Sequence, residues 1–263
     1  MGTAAGPEQH AEAGQHAGAE ADAGRTTVAV EIAVQDAAGA RVARDAGADR
    51  VELCSALAAT GGLTPSLATI ETVVAVGLPV HVLVRPRAGG FQHDDDELAL
   101  MTADVRHAVR AGAAGVVVGV LDAAGDVDRD ALARLRDAAD GRELTFHRAL
   151  DVVADRVAAL RALADLGVTR VLTSGGAASV GLGLDGLAAM ARAGTGVQVM
   201  AGGGLRPDDV GRLAAAGVDA VHLSASVGRA DRGPAGPGGG TDGTYLVTDP
   251  ERVREVVRAA RRA

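Results

Sequence analysis

The chain has 263 residues, a formal net charge of −8, and a composition that is 48% hydrophobic but only 1% aromatic. That length suits one large α/β domain or two smaller ones, with a full core built from Ala, Val and Leu and no Trp. The negative charge argues against a nucleic-acid surface, and the complete absence of Lys excludes any mechanism that needs a Schiff-base amine.

The single cysteine, Cys54, allows no intrachain disulfide, as expected for a reducing compartment. No apolar run approaches the ~20 residues that span a bilayer, and the N-terminus lacks a basic start followed by an apolar block. The expectation is a cytoplasmic protein with no membrane partner.

Residues 1–26 are Ala, Gly, Glu, Gln and His without periodicity and read as a disordered acidic leader. His10 and His16 lie in it, and two spaced imidazoles there are expected to be solvated rather than metal-bound. From 27 to 263 the chain reads as one domain. Strands are expected at 29–34, 50–54, 80–86, 115–121, 144–151, 170–175, 197–202 and 220–226. Helical runs fall between them at 36–46, 66–76, 95–111, 128–139, 155–166, 185–194 and 207–216, with a last one at 249–262. Asp36, Ser66, Asp128 and Asp185 are N-cap candidates, and Gly47, Gly77, Gly112, Gly167 and Gly217 are helix stops.

Eight Val- and Leu-rich strands alternating with helices predict a closed (β/α)8 TIM barrel. The alternative is an open, doubly wound sheet. That fold expects a glycine fingerprint after the first strand, where this chain reads Val34-Gln-Asp-Ala. A soft repeat, Ala46-Gly-Ala-Asp49, Ala111-Gly-Ala-Ala114 and Ala216-Gly-Val-Asp219, closes helices and launches strands, which is turn chemistry for the non-catalytic face. Residues 228–244 are rich in Gly and Pro. They read either as a lid or as an insertion with no role, and the lack of apolar anchors favours the insertion.

In a barrel the reactive groups sit at the C-terminal ends of the strands. Those ends carry Glu31, Glu52 with Cys54, Arg85 with Arg87, His147 with Arg148 and Asp151, Ser174 with Gly175, Gly202-Gly203-Gly204, and His222 with Ser224. Period-two alternation places Glu52 with Cys54, and His222 with Ser224, on shared faces. Glu31, Glu52, His147 and Asp151 are the candidate catalytic groups. Two carboxylates turned inward require compensation, expected from Arg85, Arg148 or a cation. The remaining residues, Arg85, Arg87, Arg148, Ser174, Gly175, the Gly triplet, His222 and Ser224, form a candidate anion site, since loops after strands six to eight often hold phosphate through backbone N–H groups. The competing reading is an ion network that only closes the barrel. For Cys54 the alternatives are a small core residue or a nucleophile or metal ligand.

Several blocks then resemble one family. Arg50-Val-Glu-Leu-Cys54, Gly61-Gly-Leu-Thr-Pro-Ser66, Val84-Arg-Pro-Arg-Ala-Gly-Gly-Phe91, Gly119-Val-Leu-Asp122, Thr145-Phe-His-Arg-Ala149, Arg170-Val-Leu-Thr-Ser-Gly175, Met200-Ala-Gly-Gly-Gly204 and Val221-His-Leu-Ser224 are similar, in order and spacing, to the CutC family. The match runs from about Val30 to Ser226. The resemblance implies a cytoplasmic TIM barrel, a homo-oligomer, and a role in copper homeostasis with Cu(I) held by cysteines. The matching ligand is Cys54. Family members often carry a second Cys after Glu-Ile in the first strand, where this chain has Ala33. Copper(I) would then need a further soft donor such as Met200, a His, or a second subunit. Read from the residues alone, the ring of acids, arginines and imidazoles also suits an enzyme acting on a small carboxylated or phosphorylated metabolite.

Overall fold

The computed structural model describes residues 1–2, 27–233 and 243–263. Most of the expected leader, and the middle of the Gly/Pro-rich segment, lie outside those residues. Eight parallel strands close into a barrel in chain order: β1 (Ala29–Val34), β2 (Arg50–Leu53), β3 (Val80–Leu83), β4 (Gly115–Val118), β5 (Glu143–Phe146), β6 (Arg170–Thr173), β7 (Gln198–Gly202) and β8 (Ala220–Leu223). β8 pairs back onto β1, with His222 opposite Glu31, and β1 pairs with β2, with Glu31 opposite Arg50. The open-sheet alternative is thereby excluded.

The helices are α1 (Ala37–Asp45), α2 (Leu57–Thr60), α3 (Leu67–Val74), α4 (Asp95–Arg110), α5 (Arg129–Ala138), α6 (Arg156–Asp165), α7 (Leu184–Ala191), α8 (Val210–Ala215) and α9 (Pro250–Arg262). Asp36, Ser66 and Asp128 cap their helices by accepting backbone N–H groups. The five glycine stops all adopt positive φ, between 71° and 93°, where a Cβ is strained.

The outward strand faces carry Val30, Ile32, Val51, Leu53, Val82, Val116, Leu144, Phe146, Val171, Val199 and Val221, all buried under the helices in one core. Aliphatic residues with interlocking shapes fill the role that aromatics play elsewhere. The inward faces differ. Cys54, Leu83 and Val117 form one small apolar cluster inside the barrel, and Leu172, Met200 and Ala220 another. Between and below them the barrel axis is ionic.

Four expectations are corrected. Asp185 is not a cap: α7 starts one residue earlier, and Gly183 precedes it because a Cβ there would lie 1.8 Å from the Ser174 carbonyl oxygen. Strand five ends at Phe146 rather than 151, and Arg148–Val152 is a 3-10 turn that His147 starts by accepting the Ala149 N–H. Strand eight ends at Leu223, and Ser226 opens a new strand. β9 (Ser226–Ala230) pairs antiparallel with β10 (Thr244–Thr248), so the two ends of the Gly/Pro-rich segment belong to strands that lead into α9. The helix expected at 207–216 is a 3-10 turn, Pro207–Asp209, followed by α8. Among the described residues no helix is long and apolar enough to cross a membrane.

Candidate active site at the barrel mouth

Two of the inward carboxylates fall at different depths. Glu31, the third residue of β1, is fully buried. Its Oε2 accepts from Arg50 Nε at 2.6 Å and faces His81 Nδ1 at 3.5 Å, and its Oε1 meets His222 Nδ1 at 2.8 Å. Burial alone would raise its pKa, but the hydrogen bonds from His222 and His81, with the charges of His222 and Arg50, outweigh it. The carboxyl is held well below the usual range. The compensation expected from Arg85 or Arg148 is thus corrected: the partners are Arg50 and two imidazoles, all turned inward.

Glu52 sits one layer higher, at the mouth, with His222 Nε2 3.7 Å from its Oε2. Burial raises its pKa, and the negative charge of Glu31 adds to the effect. His222 is raised above the ordinary imidazole value: burial opposes this, but the Glu52 charge and the Glu31 hydrogen bond prevail. The result is a carboxyl and an imidazole 3.7 Å apart, each with its pKa raised, at the floor of an open cavity.

That cavity has a volume of about 680 Å³ and is walled by the ends of β2, β3, β5, β7 and β8 together with α9. Glu52, Arg85, His147, Arg148, Gly203, Gly204, His222 and Ser224 line it, which brings eight of the sequence-selected residues together. Glu31, Cys54, Arg87, Asp151, Ser174, Gly175 and Gly202 do not. Arg87 instead turns outward onto Glu97. Asp151 is a structural brace: its carboxylate accepts from Thr173 Oγ1 at 2.5 Å, from Ser174 N at 3.0 Å, from Gly176 N at 3.1 Å and from Arg148 Nε at 2.8 Å. Ser174, in that braced loop, accepts from Arg148 Nη2. Glycine is required at Gly203, with φ of 114°, where a Cβ would press on Arg148 and Ser174.

Arg85 is the unusual cation. Its guanidinium is buried, donates to the carbonyls of Thr60, Gly62 and Gly89, and stacks over Phe91 at 5.6 Å. Its Nε has no partner, and no carboxylate lies within 4 Å among the described residues. Beside it, His147 is held neutral: burial and the Arg85 charge bring its pKa down to about 3. Since the ring's Nδ1 accepts from Ala149 N at 3.1 Å, its one proton is on Nε2. Gly119 makes room for this ring, because a Cβ there would fall 1.9 Å from His147 Cε1.

Sequence reasoning missed Arg50 and Arg170 inside the barrel, and Arg206, Arg252 and Glu255 around the mouth. The first group had a signal. Arg50 shares the inward parity of Glu52, and Arg170 that of Leu172 and Ser174, but both begin their strands, where charged residues read as caps to solvent. The second group comes from the 3-10 turn and α9, whose approach to the mouth no spacing foretells.

A copper(I) centre asks for soft donors converging on one point. Cys54 Sγ is buried against Leu83 and Val117, with the Val34 carbonyl 3.9 Å away, and burial plus the Glu52 charge push its pKa up, away from the thiolate. Met200 Sδ already accepts from Arg50 Nη2 at 3.1 Å, which sets a cation beside the thioether. Among the described residues no group of three or more His, Cys, Asp or Glu is arranged to hold a metal ion. The residues present do not fit that ion.

Fold and site together define a (β/α)8 barrel with an arginine-lined cavity at the C-terminal end of its strands. Residues 28–227 match the model of the CutC family. The chain belongs to that family. It is 42% identical over 234 residues to a family protein CutC from Xanthomonas campestris pv. campestris, covering 87% of this chain and 97% of that one. A CutC protein from Agrobacterium fabrum is 44% identical over 185 residues, 70% of this chain and 73% of the relative. Among solved structures, a Streptococcus agalactiae CutC whose name ties it to copper homeostasis superposes with a TM-score of 0.70 at 29% identity, covering 75% of this chain and 98% of that one.

Proposed function

We propose that the barrel mouth binds a small metabolite bearing a carboxylate or phosphate and exchanges a proton with it through Glu52 and His222. The observation that carries this reading is Arg85, a buried guanidinium with no counter-carboxylate and an unsatisfied Nε at the pocket wall. Leaving a buried charge uncompensated is costly, and an anionic ligand supplies the missing partner. The wall as a whole supports it: Arg85, Arg148, Arg206 and Arg252 line it with Glu52 and Glu255, and although Arg148 and Arg206 also meet Asp151 and Asp209, Arg85 has no carboxylate partner among the described residues.

In this reading Arg85 anchors the anion by charge-assisted hydrogen bonds. His147, neutral with its proton on Nε2, donates to a ligand oxygen without adding charge. Glu52 and His222 act as the general acid–base pair, the Glu52 carboxyl raised by burial and the His222 imidazole raised by the carboxylates beside it.

The test is a thermal-shift titration with inorganic phosphate and a panel of small carboxylates and phosphate esters. A ligand at 100 times its Kd stabilises by about 2.7 kcal/mol, and this stabilisation should vanish in Arg85→Ala when each protein is compared with its own ligand-free Tm. No shift from any anion in the panel would overturn the proposal. So would stoichiometric Cu(I) binding under reducing conditions that disappears in Cys54→Ala.

A further inference from the structure

The ionic axis does not stop at Glu31. His81, on β3 and almost wholly buried, has Nδ1 3.5 Å from Glu31 Oε2 and Nε2 3.3 Å from Glu143 Oε2. Glu143 is the first residue of β5, so it lies at the opposite end of the barrel from the pocket, and its side chain is 46% exposed. Acid–imidazole pairs within 4 Å therefore run from the mouth to the far face: Glu52 to His222 at 3.7 Å, His222 to Glu31 at 2.8 Å, Glu31 to His81 at 3.5 Å, and His81 to Glu143 at 3.3 Å, of which the His222–Glu31 contact is at close hydrogen-bond distance and the others close by small side-chain shifts. Carboxylate and imidazole alternate, so every link joins a group that can release a proton to one that can accept it.

The charges facing this chain fix how many protons it holds. Arg50 is bound to Glu31, and Arg170 donates to Glu143 at 3.0 Å, to Gln198 at 2.9 Å and to Thr145 at 3.3 Å. With Glu31, Glu52 and Glu143 ionised, three carboxylates face two guanidiniums, which leaves one negative charge. A single proton shared between His81 and His222 makes the buried cluster neutral, the arrangement that a low-dielectric interior favours. Arg170 Nη1 also lies 3.4 Å from His81 Nδ1. That nitrogen can thus donate a hydrogen bond to Glu31 or accept one from the Arg170 guanidinium, which keeps its own proton, and the two hydrogen-bond patterns correspond to the mobile proton being at His81 or passed on.

We propose that Glu31 and His81 form a proton path through the barrel, which connects His222 at the pocket with Glu143 and solvent on the opposite face. Only a proton moves at each step. His81 takes one at Nε2 from the Glu143 side and releases the one on Nδ1 to Glu31 Oε2. Turning of the protonated Glu31 carboxyl about its Cγ–Cδ bond carries that same proton to the His222 side, where it passes to Nδ1 of a His222 that holds its one proton on Nε2, and His222 then releases the Nε2 proton to Glu52 or to the ligand. Glu31 and His81 are positioning and relay residues; neither lines the pocket. The inference rests on the reading that His222 exchanges a proton with the ligand. It explains how the exchange is completed when a bound molecule blocks the mouth.

The test needs no ligand, so its failure and that of the anion-binding proposal are separable. The imidazoles of the full chain, labelled with 15N in histidine, are titrated by NMR, with His81→Gln and His222→Gln giving the assignments. Coupled sites share macroscopic steps, so the His81 and His222 curves should each show the same two inflections. Glu143→Gln, a change at a half-exposed position, should displace the His222 curve. It should also slow exchange of the His222 Nδ1 proton with deuterated solvent by about tenfold. A His222 curve with one inflection, or an exchange rate the same in Glu143→Gln as in the parent, overturns the path. A static ion network would shift the titration but leave the exchange rate alone.

Discussion

Replacing Glu31 by Gln should be among the most destabilising conservative changes available to this chain. The side chain is fully buried, and its charge is the one that directly faces Arg50, His222 and His81 together. Gln keeps the volume but leaves a guanidinium and an imidazolium without their anion. Removing one partner of a buried ion pair costs about 3–5 kcal/mol. With an unfolding entropy of about 2.1 cal/mol/K per residue, the 263 residues give about 0.55 kcal/mol/K, so Tm should fall by about 5–9 °C. Urea unfolding followed by circular dichroism measures the loss directly. Its pH dependence is a second check. The folded pKa of Glu31 lies below its ordinary value of 4.5, so its contribution is present above 4.5 and fades as pH falls through the folded value. His222 and His81 are raised above 6.5, so their share is complete below 6.5 and is lost as pH climbs through their folded values. The gap between parent and variant should therefore be widest between about pH 5 and 6.5 and narrow on both sides. In the double variant Glu31→Gln/Arg50→Met the combined loss should fall short of the sum by at least about 1 kcal/mol. A single-variant loss below about 1 kcal/mol, or a gap that ignores pH, would refute this account of the ionic axis.

Three shorter predictions follow from other sites. Cys54 should resist a thiol-specific disulfide reagent at pH 8 in the native protein and react once the chain is unfolded in guanidinium, because burial disfavours its thiolate; rapid native labelling would contradict that. Gly119→Ala should displace the His147 ring, lowering stability by about 1–3 kcal/mol and weakening whatever anion the thermal-shift panel reveals; an unchanged His147 NMR shift would count against the packing described. Asp151→Asn should loosen the 174–176 loop, with at least about 2 kcal/mol lost and faster amide exchange at Ser174 and Gly176; protection equal to the parent would show the brace is dispensable.

The number and order of the barrel strands and most helix starts were legible because they rest on local chemistry: apolar runs of strand length, Asp or Ser caps, and Gly at positive φ. The convergence of Glu52, Arg85, His147 and His222 was legible too, since barrel closure carries every strand end to one rim. What escaped depends on distance in the chain. The partner of Glu31 was sought among rim arginines, whereas Arg50 reaches it because β1 and β2 pair with those two residues in register. Asp151 read as catalytic because it follows His147 and Arg148, but the 3-10 turn rotates it toward β6, where it binds backbone. The hairpin was hidden by a Gly- and Pro-rich stretch whose ends, 226–230 and 244–248, are short and only half apolar. Cys54 was a chemical candidate by type, and its neighbours Leu83 and Val117 give it an apolar setting that no spacing reports.

A barrel threaded by alternating acids and bases changes how its descendants can vary. Position 31 cannot drift while 50, 81 and 222 stay fixed, nor 143 while 81 and 170 stay fixed. Such a molecule should diversify its interior by simultaneous exchange of whole charge sets, and freely only at the rim and outer helices, so paired substitutions among relatives at these six places would be the historical trace of that constraint.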